Sequence, residues 1–132
     1  MFCLGHSKLA NILHVKELQK RFDAEGTDII CISLHPGAVY TPGSSGFLGS
    51  IPFVGKLFQF IGRLFFAAPS QAAFTPGFAA ASPEVRNEKE KYKGAYLVPV
   101  AQVTTPSKSA QNQKLATELY NTTEAVLKEL DL

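Results

Sequence analysis

The apolar positions follow a helical period at the start of the chain. From Ser7 to Gly26 they recur at spacings of three and four, with Ser7 as the candidate N-cap and Gly26 as the residue that ends the helix. The residues predicted to face inward are Leu9, Ile12, Leu13, Val15, Leu18 and Phe22, and those predicted to face mostly outward are Lys16, Glu17, Lys20 and Arg21.

The pattern changes after Gly26 to a short continuous apolar run. Residues 29–32 are all apolar and mostly β-branched, which predicts a strand buried on both faces. The run leads into Pro36 and Gly37, where proline fixes φ and glycine lets the backbone turn or approach a neighbour closely. A parallel strand that ends in such a turn faces a ligand at its carboxyl end.

The second half of the chain predicts two more helices and one more strand. A helix is expected over 69–81, kinked at Pro76 and Gly77, and a solvated loop over the charged stretch 84–93. Residues 95–100 predict a strand that Pro99 places at an edge or ends. A polar turn over 104–109 precedes a last helix over 110–130, whose apolar positions on roughly one face are Leu115, Leu119, Val126, Leu127 and Leu130.

A helix, a glycine link and a buried strand form half of a βαβ unit. The strand that would precede this helix is not in the sequence, and a parallel strand needs partners on both edges. The order of elements therefore predicts an α/β fold that represents the second half of a larger parallel sheet.

Composition narrows the class of protein. The chain has 132 residues, of which 45% are hydrophobic and 18% charged, as in one soluble globular domain with a core. A net charge of +2 without a basic run gives no support for nucleic-acid binding.

The two cysteines, Cys3 and Cys31, are far apart in the sequence and predict free thiols in a reducing compartment. With no signal peptide or membrane span in the sequence, the prediction is a cytoplasmic location. His6 and His14 lack a second ligand at useful spacing, so no metal site is predicted.

The segment 47–68 is rich in phenylalanine, and its only charges are Lys56 and Arg63. The favoured interpretation is an apolar substrate lid or a contact in a homo-oligomer. The alternative is contact with a membrane surface or a protein partner.

Four short motifs together carry a resemblance to a known family. They are GHSKLAN at 5–11, HPGAVYT at 35–41, SPEV at 82–85 and GAY at 94–96. In order and spacing the chain resembles the short-chain dehydrogenases/reductases, and most of all the branch of the retinol dehydrogenases, the WW-domain oxidoreductase and the protochlorophyllide reductase-like proteins. The resemblance covers nearly the whole chain and corresponds to the carboxyl-terminal half of such enzymes.

The resemblance implies a fold and a domain organisation. The fold would be the carboxyl-terminal half of a doubly wound parallel-sheet, Rossmann-type α/β fold. Residues 1–132 would form a single partial NAD(P)-binding domain without the amino-terminal dinucleotide-binding half.

The resemblance also implies site residues. Lys8 matches the lysine that binds the nicotinamide ribose and lowers the pKa of a tyrosine four residues earlier, where this chain has Leu4. Leu4 has no ionisable group and transfers no proton. Pro36, Gly37, Val39 and Thr41 match the loop that closes on the nicotinamide. His35 is expected to pack or to pair at the end of the strand rather than to act as a base.

The function implied by the resemblance is a truncated NAD(P)-dependent dehydrogenase/reductase. The intact family transfers hydride between a nicotinamide and an alcohol or ketone, and the apolar segment suggests a lipophilic substrate. NADP or NAD should bind weakly or not at all, because the glycine-rich phosphate turn is missing from these residues, and the chain alone is predicted to be inactive. The alternative is a non-catalytic module that binds a protein or a membrane surface through segment 47–68.

Overall fold

The computed structural model describes residues 2–37 and 69–130, and of residues 2–4 and 69 only the backbone. The elements in chain order are α1 (Phe2–Ala24), β1 (Ser33–Leu34), α2 (Pro69–Ala72), α3 (Phe74–Ala81), α4 (Pro83–Asn87), α5 (Lys89–Tyr92), β2 (Tyr96–Val98), β3 (Gln102–Thr104), a 3-10 helix (Ser109–Gln111) and α6 (Gln113–Glu129). This mixture of helices and strands is consistent with the predicted α/β class. The parallel, doubly wound arrangement stays a prediction, and segment 47–68 lies outside the described residues.

The three strands form one sheet in the order β1-β2-β3. Only three residues connect β2 to β3, so these two strands form an antiparallel hairpin. β2 ends at Val98, directly before Pro99, as the sequence predicted, because proline has no N–H to continue the ladder. β3 was not predicted, since its three residues are all exposed and only one of them is apolar.

α1 begins earlier than its sequence pattern indicates. The helix starts at Phe2, so Ser7 lies inside it and is not its N-cap. Its predicted end is confirmed. Gly26 has a φ of 69°, its N–H donates to the Asp23 carbonyl at 3.2 Å, and the Thr27 N–H donates to the Phe22 carbonyl at 2.8 Å. This pair of bonds is the Schellman arrangement, which favours glycine because of the positive φ.

The prediction of a strand over 29–32 was wrong in its position and its burial. The strand residues are Ser33 and Leu34, and Ile29 is 44% exposed. Instead of a strand, the side chain of Gln19 pairs with the backbone here: its Nε2 donates to the Ile29 carbonyl at 3.1 Å and its Oε1 accepts from the Cys31 N–H at 2.7 Å. A side-chain amide thus satisfies two backbone groups that a strand ladder would otherwise use.

The helix predicted over 69–81 is interrupted, but not at Pro76. The break falls at Ala73, between α2 and α3. Proline lacks the N–H that would bond the carbonyl of Ala72, four residues earlier, and its ring crowds that carbonyl. Pro76 is therefore accommodated in the first turn of a new helix, where no such bond is needed.

The charged stretch 84–93 was expected to be a loop and instead forms α4 and α5. Each short helix buries one residue, Val85 at 6% exposure and Tyr92 at 1%. The Tyr92 hydroxyl also donates to the Glu84 carboxylate at 2.6 Å. The charges cover the outer side of a segment that packing makes helical.

The chain divides into two compact units. The first comprises Met1–Ser33, Pro83–Leu97 and Val103–Leu132, and the second comprises Leu34–Ser82 and Val98–Gln102. The first holds the buried apolar residues Leu13, Val85, Tyr92, Ala95, Leu97, Ala110 and Ala116. In the second, the buried Thr75 hydroxyl accepts a hydrogen bond from the Ala101 N–H at 3.3 Å.

A single partial domain over 1–132 stays a prediction. None of the helices in the described ranges combines the length and apolar composition that a membrane crossing requires.

Candidate active site

Lys8 lies on α1, in the first unit, with its side chain exposed. A helix capped by Ser7 would have placed Lys8 in its first turn. Because α1 begins at Phe2, Lys8 lies in the second turn instead. Its ammonium group is open to solvent and has three donors for a ligand's hydroxyl or phosphate oxygens. Leu4 is one helical turn earlier, which places the two positions on the same side of the helix.

Pro36 and Gly37 lie in the second unit, just after β1. Gly37 has a φ of 86°, and a Cβ placed on it would come within 3.0 Å of Cγ of Pro99. Only glycine fits both this conformation and this close approach. The sequence therefore predicted correctly that Gly37 permits a turn with a near neighbour.

His35 pairs with the backbone of its own loop, as predicted. The Gly37 N–H donates to its Nδ1 at 2.9 Å. Nδ1 is therefore the unprotonated nitrogen in this arrangement, and its lone pair is committed to the turn. This bond fixes the shape of the loop rather than leaving that nitrogen available as a base.

The remaining predicted site residues are outside what the structure describes. Val39 and Thr41 fall between residues 37 and 69. Lys8 and the pair Pro36 and Gly37 belong to different units, so a common nicotinamide site formed by them stays a prediction. Among the described residues, no three His, Cys, Asp or Glu side chains lie together as metal ligands would.

The helix that carries Lys8 is fixed through a buried carboxylate that the sequence pattern did not reveal. Glu17 was predicted to face outward, but its side chain is only 2% exposed. Its Oε2 accepts bonds from Thr117 Oγ1 and Gln113 Nε2, both at 2.9 Å, which join α1 to α6. Its Oε1 accepts from Arg21 Nε at 3.0 Å. The outward prediction failed because the two partners are about a hundred positions away in the chain.

The charge on Glu17 is stabilised in this buried position. Burial acts to raise the pKa of Glu17. The hydrogen bond from Thr117 and the positive charge of Lys20 act in the opposite direction and outweigh it, so the pKa lies below the ordinary glutamate value. The carboxylate is therefore ionised at neutral pH, and its partners stay bonded to a charged acceptor.

Aromatic contacts extend the interface between α1 and α6. The guanidinium of Arg21 lies 3.8 Å from the centre of the Tyr120 ring, and the His14 ring stacks on the same tyrosine with centroids 5.8 Å apart. Arg21 also donates to Asn121 Oδ1 at 3.4 Å. A sequence signal existed only for the ion pairs within α1, since Lys20 and Arg21 stand three and four residues after Glu17, at the spacings of helical ion pairs.

Similar proteins were found among curated sequences. The chain is 44% identical over 124 residues to a short chain dehydrogenase/reductase of Macrophomina phaseolina, covering 94% of this chain and 58% of that protein. It is 40% identical over 127 residues to a short-chain dehydrogenase/reductase of Armillaria gallica, covering 96% of this chain and 39% of that protein. It is 42% identical over 94 residues to human retinol dehydrogenase 14, covering 70% of this chain and 27% of that protein.

The chain thus spans between about a quarter and three fifths of the length of these relatives. No protein-family model matches it. No solved structure matches it either. The likeness nevertheless extends over nearly all of its own residues, in agreement with the resemblance that the four motifs carry. The chain belongs to the short-chain dehydrogenase/reductase family.

Proposed function

We propose that this chain supplies the ribose-binding and nicotinamide-closing part of an NAD(P)-dependent oxidoreductase, which transfers hydride between the nicotinamide and a lipophilic alcohol or ketone. The supporting observation is the 40% identity to a short-chain dehydrogenase/reductase over 96% of the chain. An alignment over that share of the chain must include both Lys8 and the loop at 36–41.

Lys8 has the role of holding the nicotinamide ribose in this proposal. Its side chain is exposed, so the ammonium can reach a bound ligand without first breaking into a packed core. When bound, NADP or NAD supplies the hydride acceptor or donor. Gly37 keeps the backbone of the loop compact, since it has no side chain to hold the chain away from Pro99.

The same proposal has this chain inactive by itself. Leu4 stands where the family's proton-transferring tyrosine would be, and a leucine side chain cannot exchange a proton. Within residues 2–37 and 69–130, no glycine-rich turn lies at a helix start to bind the pyrophosphate. The proposal has three further parts. The sheet of the intact fold is parallel and doubly wound, this chain binds nucleotide weakly, and the substrate is lipophilic. A relative named retinol dehydrogenase is in keeping with such a substrate.

A titration of the purified chain with NADPH and NADH tests the cofactor site. Nucleotide fluorescence and thermal stability are followed together, and we expect a weak but saturable response near millimolar nucleotide. Lys8→Met should abolish the response, because it removes the donor to the ribose. Lys16→Met, a lysine on the same helix outside the motif, is the matched control and should retain it.

Two results would overturn parts of the proposal. Absence of any response up to millimolar nucleotide, or an equal loss in both lysine variants, would show that Lys8 forms no cofactor site in this chain. Turnover of a lipophilic aldehyde or alcohol by the unaltered chain would contradict the predicted inactivity.

A further inference from the structure

α6 carries an apolar stripe that no described part of the chain covers. Leu115 is 37% exposed, Val126 48% and Leu130 61%. Leu119 lies between them and is half-buried. At about 100° per residue these four positions fall within an arc of about 60° on the helix. The stripe is offset from Ala116, which is 1% exposed on the side packed against α1.

The spacing within the stripe is the same read from either end. Successive members are separated by four, seven and four residues. In a two-fold contact the same surface meets itself, so that residue i contacts residue j and j contacts i. An antiparallel second copy of α6 would place Leu115 against the second copy's Leu130 and Leu119 against the second copy's Val126. Each of these contacts then occurs twice.

The polar residues at the centre of the stripe tolerate this burial. Thr122 and Thr123 would lie at the two-fold axis. The Thr122 hydroxyl already donates to the Glu118 carbonyl at 2.8 Å, and the Thr123 hydroxyl donates to the Leu119 carbonyl at 2.9 Å. Because both hydroxyl protons have acceptors within the helix, removing water from them leaves no donor unpaired.

Charge and shape agree with the same register. The antiparallel arrangement brings Lys114, whose side chain is 85% exposed and whose Nζ lies 3.8 Å from Oε1 of Glu118 in its own helix, beside Glu129 of the second copy. Leu119 also borders a cavity of about 280 Å³ between α1 and α6, lined by Ala10, Asn11, His14 and Thr123. The Val126 side chain of a second copy, opposite Leu119, would enter the mouth of this cavity.

From these features we propose that the chain forms a two-fold homodimer through antiparallel packing of α6 on α6. The contact uses α6, whereas the candidate cofactor residue Lys8 lies on α1. The proposal does not rest on nucleotide binding.

Molecular mass in solution tests the proposal. Light scattering or sedimentation equilibrium of the full chain, from micromolar to near-millimolar concentration, should show a shift from 14.3 kDa toward twice that mass. Val126→Glu should raise the dissociation constant at least about tenfold, because the interface would bury an unpaired carboxylate. Ala125→Glu adds the same charge at an exposed position about 100° away on the helix and should leave the dimer intact.

Disulfide trapping tests the antiparallel register. In a Cys3→Ser, Cys31→Ser background, Leu115→Cys and Leu130→Cys chains should cross-link when mixed, and neither should cross-link with itself. A monomer at every concentration would overturn the proposal, and so would a dimer that survives Val126→Glu. Self-cross-linking of the Leu115→Cys chain would overturn the antiparallel arrangement. Circular dichroism of each variant excludes unfolding as the cause, since the substituted positions of the C-terminal segment, 115, 125, 126 and 130, are all exposed.

Discussion

The Thr117 hydroxyl donates a hydrogen bond of 2.9 Å to the carboxylate of Glu17, a residue one hundred positions earlier. This bond crosses the interface between α1 and α6, where charged and aromatic contacts accompany the buried Ala116. A polar network therefore helps to position the helix that bears Lys8. That network can be tested without touching the candidate site.

Glu17→Gln should lower the free energy of unfolding by about 1 to 2 kcal/mol, because the hydrogen bonds would then go to a neutral acceptor. Arg21 is 38% exposed, so its charge is partly screened and most of the loss should come from the bonds across the helix interface. Urea denaturation measures the difference. Glu25→Gln, an exposed glutamate just beyond α1, is the control and should change stability little. Equal losses in both variants would argue against the buried network.

Stability should depend on acid in a direction set by Glu17. Its pKa is lowered by folding from an ordinary value of 4.5, so the folded state favours the charged form. Its contribution is complete above that ordinary value and is lost as the pH falls through the folded pKa. The pKa values of the exposed Asp23, Asp28 and Glu84 are lowered too, and these groups act in the same direction.

The contribution of Glu17 can be separated from theirs by comparing unfolding of the unaltered chain and Glu17→Gln from about pH 7 down to about pH 3. We expect the stability difference between the two to shrink as the pH falls. A difference that stays constant or grows on acidification would mean that the pKa of Glu17 is not lowered in the folded chain.

Gln19→Met should release the segment that follows α1. Methionine keeps the shape of the side chain but leaves the Ile29 carbonyl and the Cys31 N–H without partners, at a cost of about 2 kcal/mol or more. The Cys31 thiol is half-buried, and burial raises its pKa, so its alkylation should be slow in the unaltered chain.

The alkylation rate of the peptide that contains Cys31, followed by mass spectrometry, should therefore increase in Gln19→Met. Asn11→Met replaces an exposed amide on the same helix and is the control. An unchanged alkylation rate in Gln19→Met would show that Gln19 does not hold this segment.

Two glycines should respond to alanine in opposite directions. Gly37→Ala should destabilise the chain by about 1 to 2 kcal/mol, because alanine is strained at a φ of 86° and its Cβ would meet Pro99 at 3.0 Å. Gly77→Ala should stabilise it by about 0.5 to 1 kcal/mol, because Gly77 lies in α3 with open space around it. Thermal unfolding of both variants provides the comparison. Stabilisation by Gly37→Ala would contradict the close turn after β1.

The sequence by itself determined the features that act through their own backbone. Gly26 ends α1 because only glycine adopts the positive φ without strain, and Val98 ends β2 because Pro99 has no N–H. Gly37 was assigned a close turn for the same reason. The four motifs that include Lys8 also carried the family, which the relatives then showed.

Only the tertiary structure decided which polar residues are inside. Glu17 has the sequence surroundings of a solvated residue, and it is buried because Gln113 and Thr117 supply donors from the other end of the chain. Residues 29–32 have the pattern of a strand, and the amide of Gln19 takes up two of their backbone groups instead. Local conformational limits can be read from single residues. Burial and hydrogen-bond partners depend on distant segments, and these meet only after folding.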